Sequence, residues 1–268
     1  MPRLPTPTDF PPSLHLDIIP PPNNSPPINI LLLLHGLGDT KAPFTTLARS
    51  LNLPETACLA IQGLHPIPQI FLDSEPSTGV ASSGVASSGV ASSAFHWGDD
   101  VLIDEGKGEI EMDSGFEKTR EVLGSVVRML MEGCGFPARN ILFYGFGQGG
   151  MAALCLISSS SSPNPPPPLS TLEFGGVISI GGRLPSSSTS SSAKCKTPIL
   201  VCGGSNSTQI TRQAIDGLKE RFGTVEYVRW EKRGDSMPGS REEMLPLMRF
   251  FARRLRSRVG VPEGAVEV

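Results

Sequence analysis

Positive charge is scarce in this sequence of 268 residues, in which 26 Asp and Glu outnumber 23 Lys and Arg. The net charge of −3 and a pI near 5.9 argue against nucleic acid or an anionic membrane as a required partner, since both attract concentrated positive charge. The arginines near the end of the chain are an exception, and we expect them to form the solvated face of a last helix. They are Arg249, Arg253, Arg254, Arg256 and Arg258.

Long apolar runs are also missing. No segment approaches the length that crosses a membrane, and the first residues, Met1 to Pro5, lack the continuous apolar stretch of a signal peptide. We therefore expect no membrane span and a cytoplasmic location. The five cysteines are scattered without metal-ligand spacing, which indicates reduced thiols in an intracellular protein. We predict no bound metal and no cofactor.

The chain length and an apolar fraction of 38% suit one domain with a sizeable core. Three stretches of small and polar residues bury too little area to offset their ordering entropy, and we expect them to be loops inserted into the domain: 79–93, 158–170 and 186–192. The first of them repeats Gly-Val-Ala-Ser-Ser three times. The domain itself is predicted to span 28–257. It is preceded by a proline-rich segment, 1–27, for which an edge strand is possible by sequence. A tail, 258–268, follows the domain.

The rest of the chain alternates strand-like and helix-like segments. Residues 28–34 are a nearly unbroken aliphatic run, which is typical of a parallel strand buried on both faces. Apolar residues at helical spacing predict a helix over 114–132. Further strands are predicted at 140–144, 176–180, 198–202 and 225–230, and further helices at 149–157, 210–222 and 240–256. This alternation predicts an α/β fold with a mostly parallel central sheet flanked by helices, in a single domain.

The segment FYGFGQGG, residues 143–150, joins a predicted strand to a predicted helix through a glycine-rich turn. Its glycines Gly145, Gly147 and Gly150 fit the G-x-G-x-x-G pattern of dinucleotide-binding proteins. That pattern also needs an acidic residue about 20 positions further on, at the end of the next strand, to hold the ribose. Glu173 has suitable spacing but precedes its strand, so the nucleotide-binding interpretation depends on the glycines alone.

The same turn fits the nucleophile elbow G-x-S-x-G at every position except the serine, which is replaced by Gly147. In this frame the turn resembles that of the acyl-protein thioesterase and carboxylesterase group of α/β-hydrolases, whose elbow reads G-F-S-Q-G-G. Residues 34–40, LHGLGDT, resemble the oxyanion loop of that family. Further similarity at 174–181, at 197–202 and in the last helix extends the resemblance over about 28–257. The resemblance implies an α/β-hydrolase fold.

The resemblance also implies which residues surround the site. The backbone N–H groups of Leu37 and Gln148 correspond to the oxyanion hole. His35, Gly36 and Trp97 are expected beside the pocket, Trp97 because its neighbours resemble the aromatic stretch next to the substrate channel. Core packing is an equal alternative for Trp97, and we expect His35 to fix the oxyanion loop rather than to act as a base.

The residues that carry out the chemistry of that family are absent. A serine hydrolase needs a nucleophile, a histidine that takes its proton and an acid that orients the histidine. By the resemblance, the nucleophile position holds Gly147, the acid position holds Ser207, and the histidine position holds Asp235 or Met237. None of the four histidines lies after residue 96, so none can supply the base in the order of the family.

Three hypotheses about function remain open. The first is a catalytically degenerate family member whose pocket binds an acyl-like ligand, such as an acyl chain or a small ester, or a protein partner. The second is an active carboxylic ester or acyl-thioester hydrolase that uses groups the sequence does not identify. The third is a nucleotide-binding protein that uses Gly145, Gly147 and Gly150. The resemblance favours the second hypothesis, and the missing triad favours the first.

Overall fold

The computed structural model describes residues 2–71, 94–104, 106, 108–158, 168–186, 188 and 193–258. The predicted insertion at 79–93 lies outside these residues. So do most residues of the predicted insertions at 158–170 and 186–192, and of the predicted tail, 258–268. The domain boundaries drawn from the sequence therefore stay predictions.

The strands are β1 (Leu16–Ile19), β2 (Asn29–Leu34), β3 (Thr56–Ile61), β4 (His65–Pro66), β5 (Phe95–His96), β6 (Ile103–Asp104), β7 (Glu109–Ile110), β8 (Ile141–Phe146), β9 (Gly176–Ile180), β10 (Ile199–Gly203) and β11 (Val225–Arg229). The α-helices are α1 (Lys41–Leu51), α2 (Glu117–Arg128), α3 (Gln148–Ser158), α4 (Arg212–Arg221) and α5 (Arg241–Arg254). A π-helical turn, Met129–Gly133, extends α2. No helix in the described part of the chain is long and apolar enough to cross a membrane.

Within the described residues, seven strands form one sheet in the order β1-β3-β2-β8-β9-β10-β11. β1 pairs antiparallel with β3 at one edge, and every other neighbouring pair in this sheet is parallel. The strand β1 lies within the proline-rich segment 1–27. The predicted fold class, a mostly parallel central sheet flanked by helices in a single domain, is confirmed.

Strand β2 shows how the helices cover both faces of the sheet. Its residues are all buried, and because successive side chains of a strand point to opposite faces, they divide between two cores. Leu32 and Leu34 pack in the cluster that includes side chains of α2 and α3. Leu31 and Leu33 pack on the other face, in the cluster that includes side chains of α1 and α5. This explains why β2 reads as an unbroken aliphatic run.

In two of the predicted helices, a capping side chain sets the first residue. The helix predicted over 114–132 begins at Glu117, because the Asp99 carboxylate accepts hydrogen bonds from the backbone N–H groups of Glu117 and Lys118, at 2.7 and 2.9 Å. The helix predicted over 240–256 begins at Arg241, because the Ser240 side chain caps it by accepting from the Glu243 N–H at 3.2 Å.

The parallel strands place their carboxyl ends at one edge of the sheet, and in open α/β sheets this edge is where ligands bind. The oxyanion loop follows β2 and the glycine turn follows β8. The loops that hold the acid and base positions follow β10 and β11. The strand order therefore collects the predicted site residues at this edge.

Candidate active site

The turn between β8 and α3 has the geometry of a nucleophile elbow. Its central residue, Gly147, has a φ of +49°, in the left-handed region that favours glycine. The Gly147 N–H donates to the Ile180 carbonyl at 2.8 Å, and the Gly147 carbonyl accepts from the Met151 N–H at 3.1 Å as α3 begins. The backbone thus keeps the sharp strand-to-helix turn on which hydrolases present a serine, although residue 147 has no side chain.

Three other glycines of this turn are required by close packing. A Cβ at Gly145 would overlap the backbone of Gly150, and one at Gly149 would overlap the carbonyl oxygen of Leu34 at the end of β2. A Cβ at Gly150 would overlap the Ser179 hydroxyl. Packing within the elbow therefore accounts for Gly145 and Gly150, two of the three glycines that also fit a dinucleotide-binding pattern.

By contrast, there is room for a side chain at Gly147. Among the described residues, a Cβ placed there would have one neighbouring atom within 4 Å, the Met112 Cε at 3.3 Å. The backbone around the elbow therefore leaves space for a side chain at residue 147, and Met112 is the neighbour that such a side chain would contact.

The two N–H groups of the predicted oxyanion hole lie on segments that pack against each other. Leu37 is in the loop after β2, which turns at Gly38 with a φ of +79°. Its neighbour Gly36 packs so closely on the elbow that a Cβ there would lie 2.7 Å from the Phe146 ring. Within the described part of the chain, the backbone N–H groups of Leu37 and Gln148 donate to no protein acceptor. The protein itself therefore leaves both donors without an acceptor in this part of the chain, as an oxyanion hole requires.

The Gln148 side chain holds two loops against the elbow. It is buried, its Oε1 accepts from the Trp97 N–H at 2.7 Å, and its Nε2 donates to the Met112 carbonyl at 3.1 Å. A residue that contributes its backbone to the predicted oxyanion hole thus also fixes the surroundings of that hole through its side chain.

His35 is held in the neutral form by its environment. It is inaccessible to solvent, its Nε2 lies 2.8 Å from the Gly63 N–H and 2.9 Å from the Gln62 side-chain nitrogen, and its Nδ1 lies 2.7 Å from the Gly36 carbonyl. Because two N–H donors point at Nε2, we assign the ring proton to Nδ1. Burial lowers the pKa of His35. With both ring nitrogens in hydrogen bonds, His35 can fix the oxyanion loop but has no free nitrogen for proton transfer.

Trp97 lies behind the oxyanion loop. It is inaccessible to solvent, its Nε1 donates to the His35 carbonyl at 2.8 Å, and its own carbonyl accepts from the Thr119 hydroxyl at 2.5 Å. These contacts describe a core residue that supports the loop. A contact between Trp97 and a ligand stays a prediction.

The loops that hold the acid and base positions are joined through Asp235. Its Oδ1 accepts from the Gly204 N–H at 2.9 Å and from the Thr208 hydroxyl at 2.6 Å, and its Oδ2 accepts from the Gln209 N–H at 2.7 Å. Ser207, at the acid position, is exposed in the same loop and has a φ of +51°. Asp235, one of the two candidates for the base position, therefore uses both carboxylate oxygens to hold the loop after β10.

Asp235 and Gly147 both lie against the turn that follows β9. A Cβ at Gly181 would lie 2.6 Å from the Asp235 Cβ, and a Cβ at Gly182 would lie 2.6 Å from the Gly147 carbonyl oxygen. The structure thus brings Gly147 and Asp235 to neighbouring places at the sheet edge.

The other nearby groups do not form a triad. Met237, the second candidate for the base position, packs against the core and accepts at its Sδ from the Tyr144 hydroxyl at 3.7 Å. Ser236 is exposed. Cys155 is buried in α3, and burial raises its pKa to about 11. The described residues contain no group of three or more His, Cys, Asp or Glu that could hold a metal ion.

Sequence reasoning did not identify the segment that crosses the elbow. Met112, whose methyl group faces Gly147, lies between β7 and α2 in a stretch without a recognisable motif. The next residue, Asp113, forms an ion pair with Arg183 at 3.1 Å. The charge of Arg183, directly after the glycine turn that follows β9, was a sequence signal for this contact.

Comparison with known sequences supports the resemblance. The model of the family described as Phospholipase/Carboxylesterase matches residues 81–251. An uncharacterized hydrolase of Schizosaccharomyces pombe is 26% identical over 229 residues, which are 85% of this chain and 83% of that protein. An uncharacterized hydrolase of Mycosarcoma maydis is 30% identical over 174 residues, which are 64% of this chain and 55% of that protein.

Solved structures show the same fold. Acyl-protein thioesterase 2 of Zea mays superposes with a TM-score of 0.63 at 17% identity, covering 90% of this chain and 99% of that one. A carboxylesterase from Mesorhizobium loti gives a TM-score of 0.62 at 13% identity, covering 92% of this chain and 98% of that one. At these identities the likeness shows the α/β-hydrolase fold alone. The family match covers well over half of the sequence, and the chain therefore belongs to the phospholipase/carboxylesterase family of α/β-hydrolases.

Proposed function

We propose that this protein is a catalytically degenerate member of its family that binds an acyl-like ligand at the oxyanion hole without hydrolysing it. The observation that carries the proposal is the pairing of two free backbone donors, on Leu37 and Gln148, with a residue that has no side chain, Gly147. The protein keeps the donors that hold a carbonyl oxygen and lacks the group that attacks the carbonyl carbon.

The base position supports the same conclusion. A triad needs a group that accepts the nucleophile's proton and later releases it. The Asp235 carboxylate instead accepts hydrogen bonds from two backbone N–H groups and a hydroxyl. An oxyanion hole and a pocket without a triad still leave roughly 10³–10⁴-fold acceleration over water, so we expect at most slow residual hydrolysis.

The chemistry of the ligand follows from the donors. The N–H of Gln148 lies at the start of α3, an 11-residue helix, where the helix dipole and the unpaired N–H groups favour negative charge. The N–H of Leu37 comes from a separate loop. Two such donors suit the oxygen of a carbonyl or carboxylate, so an ester, a thioester or a free fatty acid fits the proposal.

Hydrolysis is tested with purified protein on short- and long-chain acyl esters and thioesters, against a buffer blank and heat-denatured protein. We expect rates no higher than about 10⁴ times the blank. Turnover well above that level would favour an active hydrolase with an unrecognised nucleophile, which covalent labelling could then locate.

Binding is tested by titration calorimetry with octanoate. Two variants at one position separate the backbone donor from the side chain, because proline at the first helical position removes the N–H without breaking a helix. Gln148→Ala removes the side chain alone, and Gln148→Pro removes the N–H as well. We expect Gln148→Pro to weaken binding at least about tenfold relative to Gln148→Ala, as the loss of a hydrogen bond to a charged group does. No saturable heat with the wild-type protein at millimolar octanoate would contradict ligand binding and leave a protein partner as the alternative.

The nucleotide-binding hypothesis has a separate test. Elbow packing explains Gly145 and Gly150, two of the three glycines in its pattern. Glu173, the spacing candidate for the ribose contact, lies before β9 with its carboxylate 3.5 Å from the Arg254 guanidinium. A thermal shift with millimolar NAD or ATP would support the hypothesis, and its absence would count against it.

A further inference from the structure

The side chain of Met112 occupies the approach to the elbow. Its Cε lies 3.3 Å from the place where a Cβ of residue 147 would stand, and the rest of the side chain packs against the core cluster under α2 and α3. A serine at this position would direct its hydroxyl into the space that a ligand's carbonyl group must enter. The methyl group of Met112 therefore borders the space that the reaction of the family requires.

Five polar contacts hold the segment that carries Met112. We call this segment, residues 111–114, the strap. The Glu111 N–H donates to the Leu102 carbonyl at 2.7 Å, beside the β6–β7 hairpin, and the Ser114 hydroxyl donates to the Asp100 carbonyl at 2.7 Å. These two contacts anchor the ends of the strap.

The middle of the strap is anchored to the elbow and to the turn after β9. The Met112 carbonyl accepts from the Gln148 side chain at 3.1 Å. The Asp113 carboxylate pairs with the Arg183 guanidinium at 3.1 Å and accepts from the Ser186 N–H at 2.8 Å. The side chains of Asp113 and Arg183 are only 11% and 29% exposed, so water screens this ion pair less than one on the open surface.

We propose that the strap covers Gly147, with the Met112 side chain at the place where family members have the serine side chain. A ligand then reaches Gly147 only when the strap moves. The polar contacts on both sides of Met112 stabilise the closed arrangement, in which Met112 covers Gly147. The unbranched thioether side chain of Met112 can change rotamer at low cost, which suits a residue that fills the position and then leaves it.

Access to residue 147 is measured with a thiol placed there. All five native cysteines are buried and free, so they give little background against a cysteine introduced by Gly147→Cys. The probe is N-ethylmaleimide, and the readout is the second-order labelling rate by mass spectrometry. This measurement uses no acyl ligand, so its result does not depend on octanoate binding. A failure of octanoate binding would not contradict the strap proposal, and a failure of the strap proposal would not contradict octanoate binding.

We expect the Gly147→Cys protein to react slowly. Adding Met112→Ala should raise the rate at least about tenfold, since labelling then no longer waits for a local opening. Adding Asp113→Asn, which breaks the ion pair with Arg183, should raise the rate by a smaller factor. The matched control is Met248→Ala on the same background, because Met248 is an exposed methionine of α5, and it should change nothing.

Equal labelling rates with and without Met112→Ala would overturn the proposal, as would a Gly147→Cys thiol that reacts as fast as free cysteine. A side chain at a φ of +49° strains the backbone, so folding of each variant is checked by circular dichroism. If the cysteine variants do not fold, the proposal is tested by the hydrogen-exchange rate of the Gln148 backbone amide. This rate is compared between wild-type and Met112→Ala protein. We expect faster exchange in Met112→Ala, and unchanged protection would overturn the proposal.

Discussion

The carboxylate of Asp235 accepts a hydrogen bond from the Thr208 hydroxyl at 2.6 Å and thereby joins the loop after β11 to the loop after β10. By family resemblance, these loops hold the base and acid positions of a triad. Two backbone amides of the loop after β10, those of Gly204 and Gln209, also donate to this carboxylate. Asp235 therefore holds the two loops together at the sheet edge.

We expect Asp235→Ala to destabilise the protein by about 1–3 kcal/mol, because three donors lose their acceptor. The measurement is the urea midpoint, with Asp216→Ala, an exposed aspartate of α4, as the control. A double-mutant cycle of Asp235→Ala with Thr208→Val should give a coupling energy different from zero, since the two side chains are in contact. A midpoint for Asp235→Ala equal to that of Asp216→Ala would show that the carboxylate does not fasten the loops.

Gly147→Ser should lower stability and still fail to hydrolyse acyl esters at the level of the family. The expected loss is about 1–3 kcal/mol, since a side chain must adopt the left-handed conformation that Gly147 has. Gly147→Ala is the matched control and should lose a similar amount, because the strain comes from the Cβ. Turnover by Gly147→Ser well above that of Gly147→Ala would mean that a base is present after all.

Stability should fall as the pH drops below about 6.5, the ordinary pKa of histidine. Burial lowers the pKa of His35 and of His96, so below that pH the unfolded chain binds protons that the folded protein excludes. Their contribution is therefore fully present above about pH 6.5 and declines as the pH falls.

This pH dependence is measured as the urea midpoint between about pH 7.5 and about pH 5.5. His35→Gln should flatten the curve in part, since His96 still contributes. His15→Gln, at an exposed position, should leave the wild-type slope unchanged. A His35→Gln protein with the full wild-type slope would contradict a buried, neutral His35.

The native thiols should be unreactive. Burial raises the pKa of Cys58 and of Cys202 to about 12 and that of Cys155 to about 11, so little thiolate forms near neutral pH. Ellman's reagent should therefore react with the folded protein only as fast as it unfolds, and with all five thiols in guanidinium chloride. One thiol that reacts at once in the folded protein would identify a candidate nucleophile and reopen the active-hydrolase hypothesis.

Sequence patterns predicted elements with strong local signals. The aliphatic run of β2 and the capping serine of α5, Ser240, are recognisable without tertiary context. The patterns missed β3, a short apolar run that periodicity cannot tell from a buried helix segment, and α1, in which Pro43 and two threonines lower helix propensity. Packing of these two elements against β2 decides their conformation.

The sequence by itself determined that the elbow turn has Gly147 where the family has serine and that no histidine follows residue 96. Only the tertiary structure decided that Asp235 fastens Thr208, 27 residues away, and that Met112 lies over Gly147 with its carbonyl bound to Gln148, 36 residues away. Local propensity and motif spacing report on neighbours along the chain. These contacts arise between distant loops that meet because parallel strands place their carboxyl ends at one edge of the sheet.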